Sequence, residues 1–447
     1  MEALEPQLHA FCTPTPELAL AQAGAIDRAI AAGEPVGPLA GVPMGIKDLI
    51  CTAGIRTTSG SAAYEDFIPD EDDIVVERVR AAGAVILGKT NVPEFGYSGV
   101  GHNPIFETTG NPWNPALTPG GSSAGSGAAL AAFMCPLTLG SDGGGSVRIP
   151  AAHSGVVGFK ASMGRVPLYP GCRDERYPGV SGWESLEHIG PMARSVQDAA
   201  LLFSVIAGPD GRDRHSLPDQ GTDWSAAASG SLRGLRVAYS ADWGYAAVDP
   251  EVRRVVGEAV RVFETELGCV VEEAHPGFED SLDAFWALVA METDLTGMRA
   301  IAGRLGARMS PHLAAFVTRN WTATEFTDAN MRRKAVVNAM ARFMRRYDLL
   351  LTPTLAVPPF AVHMQGPERI EGRMVPNAAW LAFTFPINMT GQPAISVPAG
   401  MTRDNLPVGL QIVGRHLDDA SVLRAAAAFE QARPWGDRVP PMVAALA

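Results

Sequence analysis

Helix and strand patterns alternate along most of the 447 residues, and this alternation limits the fold more than any other feature of the sequence. Near the N-terminus, Thr15 and Pro16 predict the start of a helix, with a capping Thr and a Pro in the first turn. Apolar residues from Asp72 to Ala82 recur at helical spacing, and the following AVILGKT has the composition of a short buried strand.

The same alternation continues to the C-terminus. Ser195 to Asp198 form a predicted capping box at the start of a helix, and Asp249 opens another helix. GLRVAYS, DLLLTPTLAV, PAISVPAG and VGLQIVGR are predicted strands, and a last helix is expected from Asp419 to Ala432. This order favours an α/β domain with helices on both faces of a mostly parallel sheet.

Two regions depart from the alternation. Residues 165–190 are rich in Pro, Gly and aromatic residues, which indicates a long ordered loop near a functional face. Residues 279–346 contain long helical patterns without strands, so we expect a helical insertion that covers the sheet. No internal repeat is visible, and residues 1–447 are interpreted as a single domain.

Composition excludes several classes of protein. A net charge of −12 without clustered Lys and Arg argues against nucleic-acid binding. The five cysteines are far apart, with no pattern typical of a metal site, and the N-terminus lacks the pattern of a signal peptide. The longest nearly apolar run, residues 128–139, is too short for a membrane span, which needs about 20 residues. We therefore expect a cytoplasmic protein.

The segment LTPGGSSAGSGAALAAF places Ser122, Ser123 and Ser126 in a glycine-rich turn before an alanine-rich run. A phosphate-binding loop of the P-loop type would need Gly-Lys followed by Ser or Thr, which the chain lacks. A nucleophile elbow centred on Ser123 would need a preceding buried strand, but the upstream NPWNPALTPG is rich in proline. Neither interpretation fits its context.

A second Gly-Ser segment, SDGGGSVRIP, follows an apolar run. Consecutive glycines allow the backbone N–H groups from Gly143 to Ser146 to converge on one point, as stabilisation of an oxyanion requires. Ser146 is therefore a candidate nucleophile. Its base is not fixed by this pattern, although His153 and His188 are near in sequence.

Lysine is rare in this chain, since only four of the 36 basic residues are Lys. A desolvated Lys can lose its proton and act as a base, whereas Arg stays protonated. Lys47 lies in the apolar segment VPMGIKDLI, which makes it a candidate base. The alternative is a Lys that extends from a strand edge to solvent.

Three long segments, GVPMGIKDLI, TPGGSSAGSGAA and GSDGGGSVRIPAAHSGVVGFKAS, resemble the signature of the amidase signature family. The spacing of Lys47, Ser122 and Ser146 along the chain is also similar to that of the family's Lys, cis-Ser and nucleophilic Ser. The resemblance extends to VILGKTNVPEFGYS, LTPTLAVPP, FTFPINMTGQPAISVPAG and LPVGLQIVGR, and so covers nearly the whole chain.

The resemblance implies a role for each matched residue. Ser146 would be the nucleophile, Ser122 a relay serine after a cis peptide bond, and Lys47 the base. The implied oxyanion hole is formed by Gly143, Gly144 and Gly145 together with the Ser146 N–H, and the implied supporting residues are Ser123, Asp142 and Arg148. The implied fold is a three-layer α/β/α structure with a large mixed, mostly parallel sheet and a signature core at residues 47–165.

The implied activity is hydrolysis of a linear amide through an acyl-enzyme, with esters or carbamates as further substrates. It needs water and a small-molecule amide but no cofactor and no metal ion, and a homodimer is the oligomer considered. Two alternatives remain: the glutaminase subunit of a tRNA-dependent amidotransferase, and a catalytically silent anion-binding module.

Two local features bear on the substrate. Gly143 stands where the family usually has Thr or Ile, which predicts extra space beside the oxyanion hole. Five residues are candidates for lining an apolar or aryl acyl pocket: Phe133, Met134, Tyr169, Tyr177 and Trp183.

Overall fold

The computed structural model describes residues 1–170 and 183–446 of the chain. The strands are β1 Phe11–Pro14, β2 Pro43–Lys47, β3 Val85–Thr90, β4 Leu137–Ser141, β5 Val157–Lys160, β6 Ile189–Ala193, β7 Arg236–Tyr239, β8 Val270–Glu273, β9 Leu349–Pro353, β10 Arg369–Ile370, β11 Arg373–Met374, β12 Ala394–Met401 and β13 Pro407–Gly414. The helices are α1 Glu5–Leu8, α2 Pro16–Ala31, α3 Ile74–Ala81, α4 Ala124–Ala131, α5 Arg148–Ser154, α6 Val196–Ile206, α7 Trp224–Ala227, α8 Pro250–Thr265, α9 Leu282–Met291, α10 Leu295–Leu305, α11 Pro311–Thr318, α12 Ala323–Phe343, α13 Phe385–Thr390, α14 Asp419–Ala432 and α15 Pro441–Ala444.

Eleven of these strands form one mixed sheet in the order β1, β3, β2, β4, β6, β5, β12, β13, β9, β7 and β8. Helices α4 and α5 pack on each other and on strands, while α6, α8 and α14 form a second group against the sheet. The expected three-layer α/β fold with a large mixed sheet is confirmed.

The expectation of a mostly parallel sheet needs correction. Parallel pairing in the described chain joins β2 to β3 and β4, and β7 to β8 and β9, whereas the other pairs are antiparallel. One physical reason is the length of a connection. Only residues 402–406 separate β12 from β13, and so short a link can join only antiparallel strands.

The predicted helix starts are mostly observed, with one difference in capping. The Ser195 side chain accepts from the Asp198 N–H at the start of α6, as predicted. Helix α2 begins at Pro16, but the Thr15 hydroxyl makes no capping bond and donates instead to the Ile86 carbonyl of β3. The Thr15 hydroxyl therefore binds the neighbouring strand and does not cap α2, as the sequence had predicted it would.

Residues 279–346 contain helices α9 to α12 and no strand, as the helical patterns predict. Their apolar side chains join the main hydrophobic core, which also contains the central strands. Within residues 1–170 and 183–446, no helix is both long enough and apolar enough to cross a membrane.

The carboxyl ends of two adjacent parallel strands bring the signature segments together. Strand β2 ends at Lys47, and β4 ends at Ser141, directly before the second Gly-Ser segment. That segment turns into α5, while the first Gly-Ser segment leads into α4. Parallel strands place their carboxyl ends at one edge of the sheet, so all three signature segments meet there.

Candidate active site

Lys47 is fully buried at the end of β2, which excludes the interpretation of a lysine that extends to solvent. Its Nζ lies 2.7 Å from Ser122 Oγ and 2.9 Å from Ser141 Oγ. It also donates to the Ser141 carbonyl at 3.1 Å. The lysine thus connects the end of β4 to the first Gly-Ser segment.

Ser122 and Ser123 have different surroundings although they are neighbours. The peptide bond between Gly121 and Ser122 is cis, as the resemblance implied, and Ser122 Oγ faces Lys47. The Ser123 hydroxyl instead binds the backbone of Ser141 at 3.3 Å, both as donor and as acceptor. The Ser123 N–H donates to the Ser146 carbonyl at 3.2 Å, which links the two Gly-Ser segments.

The second Gly-Ser segment forms a tight turn around the carboxylate of Asp142. Oδ1 of this carboxylate accepts from the Gly145 N–H at 2.7 Å, and Oδ2 accepts from the Val147 N–H at 3.2 Å. Within residues 1–170 and 183–446, the N–H groups of Gly143, Gly144 and Ser146 donate to no protein acceptor. Three N–H groups of this turn therefore remain for a ligand.

Gly145 has a backbone conformation that favours glycine. Its φ is +126°, and a Cβ there would lie 2.5 Å from the side chain of Thr384. The Thr384 hydroxyl donates to the Gly144 carbonyl at 2.8 Å. Any larger residue at position 145 would displace Thr384 and strain the turn.

Asp142 and Arg148 form an ion pair in which both side chains are fully buried. Their complete burial excludes a surface ion pair. Arg148 binds both carboxylate oxygens at 2.9 Å, and its other donors bind the Thr384 carbonyl, Gln411 Oε1 and Asn388 Oδ1. Burial raises the pKa of Asp142, but the charge and hydrogen bonds of Arg148 outweigh it and hold this pKa well below its usual range.

His188 and Lys160 lie behind the turn and do not line the cavity beside Ser146. The backbones of His188 and Asp142 exchange two hydrogen bonds, at 2.7 and 3.2 Å. Lys160 Nζ lies 3.3 Å from His188 Nε2 and donates to the carbonyls of Ala161 and Gln392. Burial, assisted by the charge of Arg148, lowers the pKa of Lys160 from 10.5 to about 7.

His153, the other histidine near the candidate nucleophile in sequence, is also buried away from the cavity. Its ring stacks on Trp380 with centroids 5.5 Å apart, and burial lowers its pKa to about 4. Neither histidine is therefore placed to act as a base for Ser146.

A cavity of about 660 Å³ opens beside Ser146 and Gly144. Much of its wall is aromatic and includes Tyr97, Trp183, Phe285, Trp286 and Phe316. Some charged residues of the lining are exposed to solvent, namely Asp283, Asp328 and Arg332. Two others, Arg319 and Glu325, form an ion pair with each other. The inner part of the cavity thus favours an uncharged, apolar group.

Of the five residues considered for an acyl pocket, the structure places Trp183 in the cavity wall. Phe133 and Tyr169 lie elsewhere, each beneath an arginine side chain, and Met134 does not line the cavity. Those three predictions were wrong, because the sequence shows that a side chain is apolar but not towards which part of the fold it turns. Tyr177 lies outside the described residues.

Gly143 does not leave the extra space that the sequence predicted. A Cβ at this position would lie 2.5 Å from Trp183 Cε3 and 2.9 Å from Cζ3. The Trp183 ring thus occupies the space that a side chain at position 143 would need. The glycine allows an aromatic ring to contact the turn directly.

Sequence reasoning missed several residues that hold the site. Ser141 contacts Lys47, and Asn388 donates to both the side chain and the carbonyl of Asp142. Thr384 and Gln411 complete the shell of acceptors around Arg148. The signal was present, because these last three residues belong to FTFPINMTGQP and VGLQIVGR, two of the segments that carried the resemblance.

Comparison with known proteins identifies the family of this chain. The amidase family matches residues 1–423. An acylamidase from Rhodococcus erythropolis is 39% identical, over 98% of this chain and 91% of its own length. A glutamyl-tRNA(Gln) amidotransferase subunit from Thermosynechococcus vestitus is 35% identical, over 98% of this chain and 93% of its own length.

Solved structures of similar fold support the same family assignment. A bacterial aryl acylamidase described as an amidase signature enzyme has a TM-score of 0.89 and 33% identity, over 97% of this chain and 91% of its own. With the family match across residues 1–423 and relatives that share its length and fold, the chain belongs to the amidase signature family of amide-cleaving hydrolases.

Proposed function

We propose that Ser146 attacks the carbonyl of a carboxylic amide, with Ser122 and Lys47 as a proton relay. The observation that carries this proposal is the buried contact of 2.7 Å between Lys47 Nζ and Ser122 Oγ. Neutral Lys47 accepts the Ser122 proton as Ser122 accepts the proton of Ser146. The reverse transfer protonates the leaving nitrogen, and the C–N bond breaks.

The tetrahedral intermediate carries a negative charge on the former carbonyl oxygen. The N–H groups of Gly143, Gly144 and Ser146 supply hydrogen bonds to it, and loss of one such donor costs about 3 to 4 kcal/mol in other hydrolases. The Gly145 N–H already donates to Asp142, so Gly145 shapes the turn instead. Asp142, Arg148 and Ser123 are supporting residues, because their contacts hold the turn and not the substrate.

Water then releases the acid from Ser146 through the same relay. Water attacks the ester carbonyl, and its proton passes through Ser122 to Lys47. Return of a proton to the Ser146 oxygen accompanies cleavage of the acyl bond and restores the enzyme. The same acyl-transfer chemistry accommodates esters and carbamates.

The substrate class we propose is a small uncharged amide with an apolar group. The aromatic wall of the cavity supports it, as does similarity to an acylamidase and to an aryl acylamidase. We assign the chemistry to the signature core at 47–165 and part of the cavity wall to the insertion at 279–346. A homodimer and a cytoplasmic location complete the proposal, the latter supported by the buried thiols of Cys12, Cys135 and Cys269.

A trapping experiment tests the nucleophile directly. An activity-based fluorophosphonate should label wild-type enzyme at Ser146, as located by mass spectrometry of the digested protein. Ser146→Ala should lose both the label and amide hydrolysis while it keeps the thermal unfolding midpoint. Labelling at another residue, or turnover by the Ser146→Ala enzyme, would contradict the proposal. Absence of any label in the wild type would favour the silent anion-binding module.

A second candidate function is the glutaminase subunit of a tRNA-dependent amidotransferase, which passes ammonia to a partner. The observation in its favour is the 35% identity to a glutamyl-tRNA(Gln) amidotransferase subunit over 98% of this chain. Under this hypothesis, glutamine hydrolysis should be weak in the purified chain and rise when partner subunits are added. Hydrolysis of aryl amides by the chain alone, with no response to partners, would favour the stand-alone amidase.

A further inference from the structure

A continuous row of five aromatic side chains, which we call the aromatic belt, lines the cavity in the order Trp183, Tyr97, Phe316, Trp286 and Phe285. Its neighbouring ring centroids are 4.7 Å apart for Trp183 and Tyr97, and 5.5 Å apart for Tyr97 and Phe316. The separation is 5.7 Å for Phe316 and Trp286, and 5.3 Å for Trp286 and Phe285. Each distance lies in the range of favourable aromatic contact.

Both ends of the aromatic belt contact the turn at residues 143–146, which we call the glycine turn. A Cβ at Gly143 would lie 2.5 Å from the Trp183 ring at one end. A Cβ at Gly144 would lie 2.7 Å from Phe285 Cζ at the other end. The belt therefore begins and ends at the two glycines whose N–H groups have no protein acceptor among the described residues.

One hydroxyl group fixes the orientation of two rings of the belt. The Thr293 hydroxyl donates to the Val289 carbonyl of α9 at 2.6 Å. Its oxygen accepts from Tyr97 Oη at 2.6 Å and lies 3.4 Å from Trp183 Nε1. Because Thr293 is buried, these contacts hold the edge of the belt in place before a substrate arrives.

We propose that the aromatic belt selects amides whose acyl group carries an aromatic ring, with Trp183 as the specificity-determining residue and Thr293 as its positioning residue. This inference rests on the proposed hydrolysis at Ser146. The acyl group stays bonded to Ser146 after the amine has left, so it remains beside Gly143 and Gly144 through both steps. Aromatic rings favour offset and edge-to-face contacts with one another, which an alkyl chain of similar size does not make.

The contact between Trp183 and Gly143 couples substrate selection to the glycine turn. A methyl group at position 143 would push the Trp183 ring away or displace the turn. Replacement of Trp183 by Ala removes the ring and makes room for that methyl group. The effects of substitutions at these two positions should therefore be non-additive.

The test compares 4-nitroanilides of acetic, butyric and phenylacetic acid, which share one leaving group. We expect Trp183→Ala to lower kcat/KM about ten-fold for the phenylacetyl substrate relative to the butyryl one, the effect of losing one favourable aromatic contact. Thr293→Val should shift that ratio in the same direction. Gly143→Ala should lower kcat on all three substrates, and Gly143→Ala combined with Trp183→Ala should regain the kcat of Trp183→Ala on the acetyl substrate.

Trp224→Ala is the control for loss of a tryptophan ring, because Trp224 packs on Phe203 and does not line the cavity. It should keep the wild-type ratio of phenylacetyl to butyryl hydrolysis. Trp183→Leu also removes the ring and serves if Trp183→Ala does not fold; it should lower the phenylacetyl preference in the same direction, whereas Trp183→Phe keeps a ring and should keep most of it. An unchanged ratio of phenylacetyl to butyryl hydrolysis in Trp183→Ala, or in Trp183→Leu if that variant replaces it, with Ser146 still required, would overturn the inference alone. Wild-type enzyme that hydrolyses no amide would overturn both this inference and the proposed function.

Discussion

Lys47 Nζ and Ser122 Oγ lie 2.7 Å apart in the interior, where Lys47 is fully buried and Ser122 is 2% exposed. Ser141 binds the same amine through its hydroxyl and its carbonyl oxygen. A desolvated amine next to a hydroxyl can exchange a proton with it directly. This contact and the groups that support it lead to four predictions.

Lys47→Met should lower kcat by about 100-fold to 10,000-fold, the usual contribution of a positioned acid or base. Lys47→Arg should be equally poor, because a guanidinium stays protonated and cannot accept the proton. Steady-state kinetics on one anilide substrate measures both effects. Lys334→Met replaces a lysine outside the site and should keep wild-type kcat. An active Lys47→Arg enzyme would contradict a base role.

Ser122→Ala and Ser123→Ala should have different effects on kcat. Ser122→Ala breaks the relay and should lower kcat about 100-fold. Ser123→Ala removes a hydroxyl that binds the backbone of Ser141 and should reduce kcat less. Both variants lose a buried hydrogen bond, so each should lower the free energy of unfolding by about 1 kcal/mol. Steady-state kinetics separates the two, and chemical denaturation checks that their losses of stability are similar. Equal losses of kcat would contradict the assignment of Ser122.

Asp142→Asn should destabilise the protein by about 3 to 5 kcal/mol, because it leaves the buried guanidinium of Arg148 without its counter-charge. The depressed pKa of Asp142 means that this stabilisation is complete at neutral pH and is lost only as the pH falls below about 4. Denaturant titrations at pH 7 measure the difference. Asp404→Asn, at an exposed turn, is the control for lost charge and should change stability by less than about 0.5 kcal/mol.

Lys160 should give the protein a distinctive dependence of stability on pH. Its pKa is about 7 in the folded protein and 10.5 ordinarily, so between these values the unfolded chain binds a proton that the folded protein does not. The free energy of unfolding of the wild type should therefore rise relative to that of Lys160→Met by about 1 kcal/mol per pH unit from pH 7 towards 10.5. Parallel curves for the two proteins would refute a depressed pKa.

The local patterns of the sequence predicted helices and strands well where packing and propensity agree. The helix at Asp419–Ala432 has the expected bounds, and the AVILGKT segment contains β3. The direction of strand pairing was harder to predict, because it depends on which distant strands become neighbours. β5 from the signature core pairs with β12, which comes near the end of the chain.

The three residues proposed as the triad came from the resemblance to the amidase signature family, but the shape of the pocket could not be predicted in that way. In the sequence, Gly143 predicted open space beside the oxyanion hole, whereas in the structure the Trp183 ring fills that space. Likewise, the sequence around Asp142 and Arg148 could not show that this pair is buried. The acceptors that enclose Arg148 include Asn388 and Gln411, whose proximity depends on the completed sheet.

The long-range contacts of Arg148 have a consequence for biosynthesis. Residues 47–165 contain all three residues of the proposed triad, yet Thr384, Asn388 and Gln411 leave the ribosome long after Arg148. Among the described residues that bind the Arg148 guanidinium, Asp142 alone precedes them in the chain, so until they arrive the glycine turn lacks its outer support. A nascent or truncated chain that ends before Thr384 should therefore carry all three proposed triad residues and still be inactive.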